Sequence, residues 1–166
     1  MSDSFVIRMA TSSDVPVLLT MVRELAEYER LLQYVSATEA DYQLALFGEG
    51  AHAQAAIAEH DGAVVGYMVW FKSFSTFSAR SKLYLEDLYV RPNQRGKGFG
   101  KAMLANLARR CVDAGLARMH WQVLDWNAPS IAFYRNLGAE VGAEWLSCTL
   151  TGEPLLALAG GSARSG

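Results

Sequence analysis

Apolar and polar residues alternate from Phe5 to Met9, the two-residue period of a short, half-buried strand, and Thr11 to Asp14 then supplies helix N-cap side chains. From Val15 to Tyr28 the period changes. Val15, Leu18, Leu19, Val22, Leu25 and Ala26 recur at helical spacing, which predicts an amphipathic first helix. Thr38 followed by Glu39 to Phe47 predicts a second helix, stopped by Gly48 and Gly50. Two strands follow, Ala53 to His60 and Ala63 to Ser73, around Asp61-Gly62, the strongest hairpin signal in the chain. Phe74 to Lys82 reads as a loop and Leu83 to Val90 as a buried strand. Ala102 to Cys111 has helical spacing, with Gly115 as its stop, and Arg118 to Leu124 reads as the next strand. A helix between two strands predicts a right-handed crossover with parallel pairing. Ser130 to Leu137 predicts a short helix closed by Gly138, and Val141 to Leu150 one or two last strands. The expectation is an α/β protein with a mixed sheet. A single domain spans residues 1–159, and residues 160–166 form a low-complexity, disordered tail.

Composition narrows the function. The chain has 166 residues, 51% of them hydrophobic, which suits one globular core. Its formal net charge of -2 lacks the basic surplus of a nucleic-acid protein. No apolar run is long enough to cross a bilayer and the N-terminus lacks a basic region followed by an apolar stretch, so a cytoplasmic protein is expected, with no membrane partner. Cys111 and Cys148 both lie in apolar surroundings without metal-ligand spacing and read as buried free thiols, with no metal site implied. His52 and His60 read as surface residues rather than bases.

Candidate chemistry concentrates between Leu83 and Lys101. Two adjacent carboxylates, Glu86 and Asp87, interrupt an apolar strand, with Asp87 expected on the opposite face from Glu86. After a five-residue loop, Arg91 to Arg95, come Gly96, Gly98 and Gly100, flanked by Arg95, Lys97 and Lys101, and then the helix. Strand, glycine turn and helix start in that order make an anion site, because the first N–H groups of a helix lack intrahelical partners and sit at its positive end. The glycine spacing departs from a Walker A loop and from a dinucleotide fingerprint. A nucleotide-binding domain for NAD or ATP is thereby disfavoured.

The run from Arg95 to Gly100 instead resembles the pyrophosphate-binding signature Arg/Gln-x-x-G-x-G of the GCN5-related N-acetyltransferases (GNAT), satisfied by Arg95, Gly98 and Gly100. FVIR, ELAEYE, YLED, RGKGFG and WNAPSIAFYRNLGA together resemble the diamine acetyltransferase family, the spermidine/spermine and thialysine acetyltransferases, from about Phe5 to Leu150. That resemblance implies the GNAT acyl-CoA N-acyltransferase fold, with strands and helices in the order β-α-α-β-β-β-α-β-α-β-β and two central parallel strands splayed at their C-terminal ends. It also implies acetyl-CoA as co-substrate, its pantetheine arm against Leu88, Tyr89 and Val90 and its pyrophosphate against Arg95, Gly96, Lys97, Gly98, Phe99, Gly100 and Lys101. Asn127 and Ser130 would touch the arm from the other side. Glu86 would be the base and Tyr134 the acid; spacing alone reads Tyr134 as a core aromatic. Tyr28, Glu29, Glu86, Asp87 and Gln122 would meet the amine, and a homodimer is expected, through Trp145 to Leu150 and Leu155 to Leu158. The segment before YLED, FSTFSARSK, carries no acid. Arg80 and Lys82 there would repel a polyamine and could pair with an amino-acid carboxylate, which favours a lysine- or thialysine-like acceptor. Polyamines come second, because Glu24, Glu27, Glu29 and Asp125 could form an acidic pocket. A non-catalytic acyl-CoA-binding module is a further alternative, disfavoured by the presence of both Glu86 and Tyr134.

Overall fold

The computed structural model describes residues 4–116, 118–142 and 146–160. The chain divides into two compact units, Met1–Gln122 and Val123–Gly166.

The first unit is built on a five-stranded mixed sheet, with β1 (Phe5–Met9), β2 (Gln54–His60), β3 (Ala63–Ser75), β4 (Arg80–Val90) and β5 (Met119–His120) side by side in sequence order. The first three pairings are antiparallel; β4 and β5 are parallel, as the helical crossover requires. Asp61 and Gly62 both have positive φ (50° and 78°), and His60 pairs with Ala63 across them, the two-residue hairpin expected of Asp-Gly. α1 (Val15–Tyr28) and α2 (Glu39–Phe47) start and stop where the sequence places them. Thr38 and Asp41 cap α2 reciprocally.

Both faces of the sheet are covered. Tyr67 and Tyr89 pack with Leu18 and Met21 of α1, with Tyr42 and Leu46 of α2 against the same cluster. Trp70, three residues from Tyr67 and so on the other face, lies under the guanidinium of Arg110 from α3 (Phe99–Asp113), 5.6 Å away. Beside α1, Arg8 makes a bidentate contact with Asp14 (2.7 and 2.8 Å) and also reaches Glu59 at 2.7 Å, while Asp14 accepts from the Thr11 N–H. Arg8 thus holds the Asp14 carboxyl well below the usual carboxylate range.

Several expectations change. The loop expected over Phe74 to Lys82 is mostly strand: β3 continues to Ser75 and β4 begins at Arg80, because cross-strand pairing extends a hairpin beyond what local apolar content signals. β5 covers two residues, not seven, and pairs with β4 only at Leu83 and Tyr84. Beyond Tyr84 the outer edge of β4 carries no strand partner among the described residues. His60 is not a free surface residue: its ring packs at 4.9 Å on Phe99, which itself stacks on Phe5 at 4.2 Å. Cys111 is buried, but Cys148 is exposed.

The second unit contains α4 (Ala128–Asn136) and α5 (Gly152–Leu158). The strands expected over Val141 to Leu150 are absent from the described part of that segment, and residues 143–145, including Trp145, lie outside it. α5 was unexpected, though its signals are present: Thr151 at the N-cap position, Glu153 in the first turn and Pro154 close behind. Leu146, Leu155, Leu156 and Leu158 are exposed. Residues 161–166 of the expected tail lie outside the described residues.

Candidate active site

The glycine turn folds as its sequence implies. Gly96 and Gly98 adopt left-handed backbone (φ 80° and 84°), and open space surrounds the position where either would carry a Cβ. Backbone conformation, not crowding, therefore demands glycine there, and the space is available to a ligand. α3 starts at Phe99, and its first turn closes with Ala102 N–H donating to Gly98 O. The N–H groups of Phe99, Gly100 and Lys101 precede that bond and have no intrahelical acceptor. The Phe99 side chain is spent on the Phe5 stack and anchors the helix start to β1, leaving only its backbone for a ligand. Lys97 Nζ lies 3.0 Å from Gln94 Oε1. Arg95 folds back: Nε donates to Val90 O at 2.8 Å, and its guanidinium sits 5.2 Å from the Tyr28 ring and 5.8 Å from Tyr89. It thereby fixes the loop to the end of β4 as well as supplying charge. These amides and cations fit a diphosphate.

At the carboxylates the strand register breaks. Val69 faces Asp87, but the next residue, Trp70, faces Leu85, so Glu86 is an extra residue, a β-bulge in β4. The bulge cancels the alternation that would send the two acids to opposite faces. Val69, which faces Asp87, and Phe71, which faces Tyr84 two residues before Glu86, share the Tyr67 face of β3, so both carboxylates lie on the α1/α2 side. The expected opposition of Asp87 and Glu86 is therefore wrong. A bulge also interrupts the backbone ladder, next to the segment from Leu88 to Val90 expected to meet an extended ligand.

Glu86 is exposed, whereas Asp87 is half-buried and accepts a hydrogen bond from the Tyr67 hydroxyl at 3.0 Å. Burial is the main cause that pushes the Asp87 carboxyl up to about 6; Glu86 and Glu29 add to it, and the Tyr67 bond pulls the other way. Glu29, following α1, is raised by burial as well. A raised carboxyl disfavours the folded state once ionised. Asp87's contribution to stability is thus intact below about pH 4 and lost as pH rises through about 6. Wild type measured against Asp87→Asn in urea is expected to lose on the order of 2 kcal/mol between pH 4 and pH 7. A constant difference across that range would refute the shift.

Glu24, by contrast, is matched. Glu24 accepts from the Tyr89 hydroxyl at 3.0 Å and from Arg91 at 3.1 and 3.3 Å, so its charge is already paired where it lines a surface cleft with Glu27. Burial and Glu24 push the Tyr89 phenol up to about 12. Gln122 lies just past β5 and is exposed. In the second unit, Asn127 is buried and caps α4, accepting from Ser130 N–H at 3.3 Å, a structural duty beyond the one expected of it. Tyr134 is half-buried on α4, its ring 5.4 Å from Phe133. Sequence reasoning missed Tyr67, Tyr42 and Arg91, whose roles depend on partners at least twenty residues away. No group of three metal-ligating side chains gathers among the described residues. No helix among them is long and apolar enough to cross a membrane.

Comparison with known proteins bears on this geometry. Residues 19–139 match the family model "Acetyltransferase (GNAT) family". The chain is 35% identical to a thialysine N-epsilon-acetyltransferase of Sus scrofa, over 95% of this chain and 98% of the relative. It is 29% identical to an L-ornithine N5-acetyltransferase of Arabidopsis thaliana, over 92% of this chain and 86% of the relative. An integron cassette protein from the mobile metagenome of V. cholerae shares its fold with a TM-score of 0.77 at 24% identity, covering 94% of this chain and 98% of that one.

Proposed function

The chain belongs to the GNAT acetyltransferase family, and from that premise we propose that it transfers the acetyl group of acetyl-CoA to a primary amine of a small amino-acid-like molecule of the lysine, thialysine or ornithine type. The observation that carries this reading is the pairing of a bulge bearing two carboxylates with the far end of the same strand, where β4 leaves its turn with Arg80 and Lys82 and no acid. An amine meets the first and a carboxylate the second.

The left-handed glycines and the first amides of α3 would hold the diphosphate, and the unladdered edge of β4 from Leu88 to Val90 would run beside the pantetheine arm. Acetyl-CoA supplies the activated acyl group. An alkylammonium with a pKa of about 10 has almost no lone pair at neutral pH. Glu86 takes the proton from that nitrogen, directly or through a water, and the freed electron pair forms the N–C bond. As the C–S bond breaks, Tyr134 donates its phenolic proton to the sulfur and recovers one from the nitrogen, leaving an amide and a thiol. Asp87, Glu29, Tyr28 and Gln122 would contact the amine.

Thiol release with acetyl-CoA and thialysine, lysine, ornithine or spermidine side by side tests the proposal. An amino acid is expected to exceed spermidine in kcat/KM by about tenfold or more, the scale of one charge-assisted contact. Preference for spermidine would overturn the acceptor assignment and favour the polyamine reading, for which the chain's 32% identity to a human spermidine/spermine N(1)-acetyltransferase-like protein, over 82% of this chain and 21% of that one, is the support.

A further inference from the structure

Among the buried and half-buried acids of the first unit, countercharges are distributed unevenly. Asp14 and Glu59 share Arg8, and Glu24 holds Arg91. Asp87 and Glu29, by contrast, have no basic side chain paired with them among the described residues. What Asp87 has is Tyr67, a fully buried residue of the central core cluster, whose hydroxyl reaches the carboxylate from within the sheet. A carboxylate left without a cation beside two others is costly to keep ionised, and a cationic ligand would remove that cost.

We propose that Tyr67 is a positioning residue for acetyl transfer: its phenol, fixed in the core, holds the Asp87 carboxylate beside Glu86, where the pair receives the substrate's ammonium group. This rests on the reading of Glu86 as the proton acceptor. The geometry suits the task. Tyr67 is locked on β3 against Leu18, Met21 and Ile57, so the oxygen it presents to Asp87 is held by packing and not by a flexible loop. Burial and Asp87 raise the Tyr67 phenol well above its ordinary value, so it remains a donor at any working pH. Asp87 Oδ2 accepts that bond, and a carboxylate has lone pairs left for an ammonium N–H. Glu86 on the bulge, Glu29 after α1 and Tyr42 on α2 are the other titratable groups facing Asp87, and none of them is a cation.

Tyr67→Phe removes one hydroxyl at constant shape. Without that donor the Asp87 carboxyl rises further, because the bond favours its ionised form. The acid limb of kcat/KM for the amine is then expected to move to higher pH, and calorimetric amine affinity in the presence of CoA to fall about tenfold. Acetyl-CoA affinity stays at the wild-type value. In an Asp87→Asn background the same substitution has no further effect on amine affinity. Equal effects in both backgrounds, or an unmoved limb with unchanged amine affinity in folded protein, would overturn the proposal. If Tyr67→Phe does not fold, Asp87→Glu displaces the carboxylate from the phenol and is expected to lower amine affinity and move the acid limb in the same direction; wild-type values of both would overturn the proposal. Glu86→Gln assayed alongside separates the two readings: retained turnover removes the proton-acceptor role of Glu86, while the coupling between positions 67 and 87 is read from amine binding alone.

Discussion

At pH 7, Glu86→Gln is expected to lower kcat about a thousandfold without changing acetyl-CoA affinity, and the deficit should shrink as the pH approaches 10. The size follows from the substrate. With a pKa of about 10.4, roughly one alkylamine in two thousand is unprotonated at pH 7. A positioned base typically contributes a factor of about 10² to 10⁴ by removing that limit. Raising the pH deprotonates the amine in solution, so the variant should recover about tenfold per pH unit until the amine's own pKa. The side chain is exposed on a bulge and makes no recorded hydrogen bond among the described residues, so the substitution should leave stability nearly unchanged. Thiol release followed from pH 6.5 to 10 reads the result. A deficit of one constant factor would mean that Glu86 does something other than accept the proton, and wild-type turnover would pass the role to its neighbour Asp87. Tyr134→Phe is the companion variant. It should reduce turnover by about 10² or more while keeping the affinity for acetyl-CoA, and unchanged turnover would remove the general-acid assignment.

The second large effect is at the phosphate cradle. Gly98→Ala should weaken acetyl-CoA binding about tenfold and Gly98→Val about a hundredfold. An L side chain at a φ of 84° costs roughly 1–2 kcal/mol, and more when β-branched. A free loop can relax away from that strain, but the amides must return to their left-handed arrangement to grip a diphosphate, so the cost reappears as lost affinity. Gly115→Ala is the control: its φ is 68°, just beyond the other end of α3, so similar strain should lower the melting temperature while acetyl-CoA affinity is retained. Calorimetric titration of the three variants decides. Equal losses at positions 98 and 115 would mean that the cradle is not where the diphosphate binds.

Substitution at Glu86 and at Gly98 probes two kinds of information in this chain. The cradle was legible because everything it needs is local: glycines for left-handed backbone, a helix that must leave its first amides unbonded, and cations nearby. For the same reason α1, α2 and the Asp61-Gly62 hairpin fall where period, caps and turn chemistry place them. The diamine acetyltransferase-like family was legible as well, from motifs in order along the chain. Local pattern failed where pairing decides the outcome. The hairpin strands outran their apolar runs, and β5 pairs with β4 at two residues only.

What the sequence determined by itself, then, is the order of elements as far as α4, the left-handed glycine turn ahead of α3 and the presence of two neighbouring carboxylates. Tertiary structure alone decided that those carboxylates share a side, since one residue slipped in the β3–β4 register reverses the alternation that a strand otherwise imposes. It likewise decided which acids are neutralised by arginine and which is held by a core tyrosine. Hydrogen bonds between residues 20 to 67 positions apart depend on where the sheet and helices meet, and no short stretch of chain encodes that meeting.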